Sequence, residues 1–351
     1  MKHGGNLDLI QNKYGINKNE IIDLSANVNP IGMPKINISL DILEHYPDPD
    51  YKILTGAISD YLHISNKNII VGNGSTELIS LFIKIISAHK TLIAMPTYWE
   101  YEQESKLINS AIKYYVAEEK NDFEIETEKL LKQLISVKPN LFILCNPNNP
   151  TGKYIPNDKL EIIISCCKKN NIFVIIDEAY AEFFDKTAIN LINKFDNLII
   201  IRAVSKFFCM PGIRLGYAAT SNLTLINQIN KIKDPWSVNS LANEIGKFIF
   251  TDKKYISETK SYINKEYLFI KNNISNINSC KLYDTGANFF MCKILNNKTS
   301  TDLFNYLLKS NLLIRNLSNC KFLSDKFFRF SIGNHKTNLL LIEQIKKFFE
   351  E

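Results

Sequence analysis

The sequence predicts an α/β protein, with a mostly parallel central sheet covered by helices on both faces and a smaller α+β unit after it. Three observations carry this prediction. Between about residues 45 and 240, short apolar β-type runs alternate with longer segments at helical spacing. Runs such as IFVIID and NLIIIR are continuously apolar, as strands buried on both faces tend to be. After Ser279 the pattern changes to strand-like pieces interleaved with single helices.

In chain order, strands are predicted at 68–71, 91–95, 140–145, 172–177, 197–202 and 215–220, with helical spacing at 76–88 and 158–169 between them. From about Asn239 a long segment with charges and periodic apolar residues reads as helix. Strands follow at 287–294, 312–315 and 327–332, and helices around 302–308 and 338–349. The last helix places Leu341, Ile345 and Phe348 on one face, a core stripe. No internal repeat or low-complexity linker separates the two parts, so the cleft between them is the expected place for a site.

A chain of 351 residues suits two units sharing an interface rather than a bare binding module. With 45% hydrophobic and 22% charged residues it can bury a sizeable core and does not read as disordered. Lys and Arg number 42 against 36 Asp and Glu, and this net charge of +6 is spread along the chain, which disfavours nucleic acid as the main partner. No apolar run approaches the roughly 20 residues of a membrane span, and the start, MKHGGNLDLIQ, lacks the apolar segment of a secretory signal. A cytoplasmic location is expected. The seven cysteines are odd in number, form no CxxC pair and have no nearby histidine at metal spacing. Neither a disulfide framework nor a metal site is expected. Cys145, inside LFILC, reads as a small buried hydrophobe.

Four local signals fall at the ends of predicted strands. In VGNGSTE (71–77) a strand breaks at two glycines and a helix begins near Ser75; free backbone N–H groups there can hold a phosphate, although a plain capping turn explains the same residues. It matches neither GxGxxG nor GxxxxGK[ST]. In CNPNNPTG (145–152) the prolines enforce a rigid turn able to aim an Asn amide into a cleft, or simply make a good surface loop. In IIDEAY (175–180) Asp177 ends an apolar strand, where a carboxylate is costly unless a cation or hydrogen bonds meet it. That cation is either functional or a structural arginine. In RAVSKFFCMPGIRLGY (202–217) Lys206 sits among apolar residues, with Arg214 eight residues later. Partial burial lowers a lysine's pKa and makes the amine a usable nucleophile, unless its stem carries the ammonium to solvent.

The order GNGSTE, PTY, NPNNPTG, DEAY, SK and PGIRLGY resembles the pyridoxal-phosphate enzymes of the aspartate aminotransferase fold type, class I/II, along essentially the whole chain. HGGN (3–6), DLSANVNPIGMP (23–34), HYPDPDY (45–51) and PWSVN (235–239) are most similar, within that group, to the threonine-phosphate decarboxylases of cobalamin biosynthesis. The histidinol-phosphate aminotransferases come next.

The resemblance implies a pyridoxal-phosphate-dependent transferase of fold type I. Residues 1–40 would join the small domain and active site, 41–240 would form the large cofactor-binding domain, and 241–351 the long helix and small domain. Lys206 would be covalently linked to the cofactor aldehyde, then serve as proton carrier. Asp177 would pair with the pyridine nitrogen, and Asn149 and Tyr180 would hydrogen-bond the ring's phenolic oxygen. Tyr98 would stack on the ring. Gly74, Ser75, Thr76, Ser205 and Arg214 would hold the phosphate. Tyr46 would reach the same phosphate across an interface, which implies a homodimer. Relatives usually carry a hydroxyl three residues before the lysine, where this chain has Ala203, so one phosphate hydrogen bond would be absent.

Arg329, in FFRFSIG, lies at the matching position of the family's α-carboxylate clamp, and His3, Asn29 and Arg315 would form a second anion site. The implied reaction is decarboxylation of O-phospho-L-threonine, with O-phosphoserine as a close analogue. The alternative within enzymes is transamination of histidinol phosphate or an aromatic amino acid. A cofactor-binding regulator would add a DNA-binding domain, for which the resemblance leaves no residues.

Overall fold

The computed structural model describes residues 4–351. Its strands are β1 (Ile22–Asp23), β2 (Ile69–Asn73), β3 (Lys90–Met95), β4 (Ala111–Val116), β5 (Leu141–Cys145), β6 (Phe173–Asp177) and β7 (Leu198–Ala203). There follow β8 (Leu215–Ala219), β9 (Cys280–Leu282), β10 (Phe289–Ile294), β11 (Leu312–Leu313), β12 (Arg315–Asn316) and β13 (Phe327–Ser331).

Seven strands make the central sheet, in the order β2-β8-β7-β6-β5-β3-β4. The continuously apolar runs occupy its middle because both faces are covered. Val174, Ile176 and Ile200 pack into one hydrophobic cluster, while Ile175, Ile199 and Ile201 pack into the other. Neighbours from β4 to β7 run parallel, but β8 runs against both β7 and β2. The cause is the short β7–β8 connection: it holds only a helical turn, Val204–Phe207, and a 3-10 turn, Pro211–Ile213, too little for a parallel crossover.

The C-terminal unit is a four-stranded antiparallel sheet, β12-β13-β10-β9. Its last helix, His335–Glu350, starts at the Asn334 cap and buries Leu341, Ile345 and Phe348. The N-terminal segment joins this unit: β1 pairs in parallel with β11, Ile22 opposite Leu312 and Asp23 opposite Leu313. The long helix expected after Asn239 is two helices, Ser240–Ile249 and Lys253–Ile274. The Asp252 side chain accepts a hydrogen bond from the Tyr255 N–H and so starts a new helix inside the charged run. No helix among the described residues is long and apolar enough to cross a membrane.

Candidate active site

Parallel strands deliver their C-terminal ends to one edge of a sheet, the usual place for a ligand in such folds. Asp177 is the last residue of β6 and only 5% exposed. Its Oδ2 accepts a hydrogen bond from the Tyr101 hydroxyl at 2.7 Å and its Oδ1 one from the Ala179 N–H at 3.0 Å. Burial pushes its carboxyl pKa above the ordinary value. Among the described residues it forms no ion pair. A buried acid in this state is a site for a cation.

Beyond β7 the chain makes one helical turn carrying Lys206, whose Nζ donates to the Ala26 carbonyl at 2.6 Å. Burial first, then the Arg329 guanidinium, lower its pKa to about 8 against the opposing pull of Asp23. The amine is therefore partly neutral, and nucleophilic, near physiological pH.

The anion cradle begins where β2 ends. Gly74 adopts φ +76°, in the left-handed region, and starts the helix Gly74–Ile86. A Cβ there would lie 2.3 Å from a terminal nitrogen of Arg214, so only glycine lets that guanidinium approach the helix N-terminus. From behind, Gly216 does the same for the backbone, since a Cβ on it would lie 2.4 Å from the Ser75 nitrogen. Arg214 is steadied through a 3.1 Å bond to the Pro211 carbonyl. A helix N-terminus with an adjacent guanidinium favours a phosphate.

Facing these groups are the residues of the C-terminal sheet. Arg315 on β12 and Arg329 on β13 are directly paired in the antiparallel register. Arg329 donates to the Ser25 carbonyl at 2.6 Å and to the Asn149 amide oxygen, while its buried Nε has no hydrogen-bond partner among the described residues. Burial lowers the pKa of Arg329, and burial followed by the neighbouring Arg329 charge lowers that of Arg315 to about 10. Arg315 donates to the Asn316 carbonyl at 2.8 Å and the Asn319 side chain at 3.0 Å.

One cavity of about 910 Å³ joins these groups. Ser75, Thr76, Ser205 and Arg214 line it at the cradle, Tyr98, Asn149, Asp177 and Tyr180 at the strand ends, and Arg315 and Arg329 on the C-terminal side, together with Lys206. The Tyr180 oxygen accepts from the Asn27 amide at 3.4 Å, and burial pushes the phenol pKa to about 12, so it remains a hydrogen-bond donor.

Two predicted residues among those described stand elsewhere. The Asn29 side chain does not line the cavity, which corrects its reading as a substrate contact. Its amide donates to the Phe207 carbonyl, Tyr255 and Thr259, and its backbone N–H bonds the Lys206 carbonyl at 3.0 Å. It is an anchor behind the lysine. Tyr46 is 80% exposed, its ring 4.6 Å from that of Trp236, outside the cavity. His3 lies outside the described residues. Sequence reasoning missed Tyr101, whose signal is a second tyrosine three residues after Tyr98, on the inner face of helix Glu100–Leu107.

Together the side chains offer a phosphate cradle, an amine with a lowered pKa, and a buried carboxylate awaiting a cation. They fit a group that carries a phosphate, a carbonyl carbon and a protonatable ring nitrogen.

Comparison with known proteins agrees with that chemistry. The family model for aminotransferases of class I and II matches residues 19–345. A Caldanaerobacter subterraneus subsp. tengcongensis protein described as "Putative threonine-phosphate decarboxylase" is 37% identical over 333 residues, covering 93% of this chain and 90% of its own. A histidinol-phosphate aminotransferase of Clostridium novyi is 34% identical, covering 93% and 91% of the two chains. Among solved structures, the histidinol-phosphate aminotransferase of Clostridium acetobutylicum superposes with a TM-score of 0.88 at 31% identity, over 93% of this chain and 98% of that one.

Proposed function

The chain belongs to the class I and II aminotransferase family, a family of pyridoxal-phosphate enzymes, and from that premise we propose that it decarboxylates a phosphorylated amino acid. O-phospho-L-threonine, giving aminopropanol phosphate and CO2, is the first candidate and O-phosphoserine a close analogue. The observation that carries this reading is the registered pair Arg315 and Arg329 on one wall of the cavity. A phosphorylated amino acid brings two anions in one molecule, its carboxylate and its phosphate, and the pair offers one guanidinium to each. The decarboxylase-named relative at 37% identity supports the same choice.

Bound pyridoxal phosphate supplies an aldehyde carbon for an amine and a ring that withdraws electrons from the substrate Cα. Arg214, Ser205 and the N–H groups at Gly74, Ser75 and Thr76 hold its phosphate. Asp177 keeps the proton on the ring nitrogen, and Asn149 and Tyr180 hydrogen-bond the phenolic oxygen. Tyr98 packs on the ring face. Lys206 would hold the aldehyde carbon, and its amine, with its lowered pKa, would carry a proton at the substrate Cα. Arg329 clamps the α-carboxylate as a planar fork and thereby sets which bond at Cα is presented, while Arg315 takes the substrate phosphate. Ala203 leaves the cofactor phosphate one hydroxyl short, which lowers cofactor affinity unless Ser205 and Arg214 compensate. Tyr46 belongs, in this reading, to a homodimer interface, supported by its exposed ring beside Trp236 and by exposed Leu40 and Leu43 nearby in sequence.

The second reading, transamination of histidinol phosphate or an aromatic amino acid, is supported by the Clostridium relatives. Purified protein offered O-phospho-L-threonine and assayed for CO2, with histidinol phosphate and 2-oxoglutarate as a parallel arm assayed for glutamate, separates the two. CO2 release in the first arm supports decarboxylation. Glutamate without CO2 overturns it in favour of transamination.

A further inference from the structure

Tyr101 is a wholly buried phenol in the cavity wall. Its ring stands edge-on to Tyr98, centroids 5.6 Å apart at 81°, so it supports the aromatic ring that borders the cavity. The helix that carries it is tied inward, since the Ser105 hydroxyl donates to the Tyr101 carbonyl at 2.7 Å. The phenol oxygen lies 2.7 Å from Asp177 Oδ2. The neighbouring Cys145 thiol gives its own hydrogen to the Pro147 carbonyl at 3.2 Å and does not compete for that acceptor. Burial raises the phenol pKa well above its ordinary value, so Tyr101 stays protonated and can act only as donor toward the acid.

Each Asp177 oxygen thus receives one hydrogen bond from within the protein: Oδ2 from Tyr101 and Oδ1 from the Ala179 N–H. A carboxylate has about four lone-pair positions, so two remain for a ligand. Phenylalanine would fill the same space. It would leave the buried carboxylate one donor short, held within the protein by the Ala179 N–H alone.

We propose that Tyr101 is a positioning residue for the reaction, its buried phenol holding the Asp177 carboxylate in the orientation that meets the cofactor's ring nitrogen. This rests on the reading of Asp177 as the partner of that nitrogen.

The test compares wild type, Tyr101→Phe, Asp177→Asn and the double variant, prepared without cofactor. The readouts are the dissociation constant for pyridoxal phosphate, the pH midpoint of the bound chromophore, and the thermal melt of the apoprotein. Tyr101→Phe should bind the cofactor about tenfold more weakly and shift the chromophore midpoint. Because the effect runs through Asp177, adding Tyr101→Phe to Asp177→Asn should change neither value further. A second variant, Tyr101→3-fluorotyrosine, keeps the shape with a more acidic phenol and should move the midpoint the opposite way. The proposal is overturned if Tyr101→Phe lowers only the melting temperature, leaving affinity and midpoint at wild-type values, or if its effect adds in full to that of Asp177→Asn. Failure of the underlying reading looks different: Asp177→Asn itself would then bind the cofactor like wild type.

Discussion

Arg315 and Arg329 stand directly opposite each other on β12 and β13, so two guanidinium side chains share one face of the C-terminal sheet at the cavity. Placing two like charges side by side in a partly desolvated wall is unfavourable without anions to meet them: burial lowers both pKa values, and the Arg329 charge lowers that of Arg315 further.

Substitutions at the two positions should therefore divide by substrate group. Arg329→Lys keeps the charge but loses the planar fork, and KM for the amino-acid substrate should rise about 10- to 100-fold. Arg315→Ala should raise KM for O-phospho-L-threonine by a similar factor and leave the weak binding of threonine itself unchanged. Steady-state kinetics with both substrates check this. Equal losses on both substrates for Arg315→Ala would remove Arg315 from the phosphate subsite.

Gly74 offers a backbone test of the cradle. Gly74→Ala must hold φ +76° and place a methyl group 2.3 Å from the Arg214 guanidinium. The strain should cost about 1–3 kcal/mol of stability and displace Arg214, weakening pyridoxal phosphate binding more than tenfold. Denaturant melts and cofactor titration of the same variant measure both. Unchanged affinity would mean that the phosphate sits elsewhere.

The lowered pKa of Lys206 has a defined sign. Between about pH 8 and its ordinary 10.5, the unfolded chain binds a proton at this lysine that the folded chain does not. Stability of the apoprotein should then rise with pH across that window, and Lys206→Met should lack the rise. The variant should be more stable than wild type at pH 7, by on the order of 1–3 kcal/mol, with the difference closing toward pH 10.5. Cofactor capture by wild type should accelerate with pH with a midpoint near 8. Parallel stability curves for the two proteins would show that the amine is not held in this environment.

The central strands were legible because burial on both faces writes a continuous apolar run, as in FVIID of β6 and LIIIRA of β7. At the margins that signal fades. Strand β4 is an edge strand whose first four residues alternate between exposed and partly covered, so AIKYYV carries no such run. Strands β1 and β11 are two residues each, and no periodicity fits into two positions. The cavity residues on strand ends and turns were readable as motifs, since glycine, proline and a lone lysine or aspartate contradict their apolar surroundings. Tyr101 was not, because a buried tyrosine on a helix reads as core until its hydroxyl is seen on Asp177. Asn29 failed for the opposite reason: a polar residue in a motif-rich segment looks like a ligand contact, yet its amide is used up internally by Phe207, Tyr255 and Thr259.

The most direct measurement is reduction of the holoprotein with borohydride followed by peptide mass mapping. The visible chromophore should bleach and the pyridoxyl mass should appear on the peptide containing Lys206, with no adduct in Lys206→Ala. A reduced adduct on another lysine, or one that survives in Lys206→Ala, would contradict the assignment of the site.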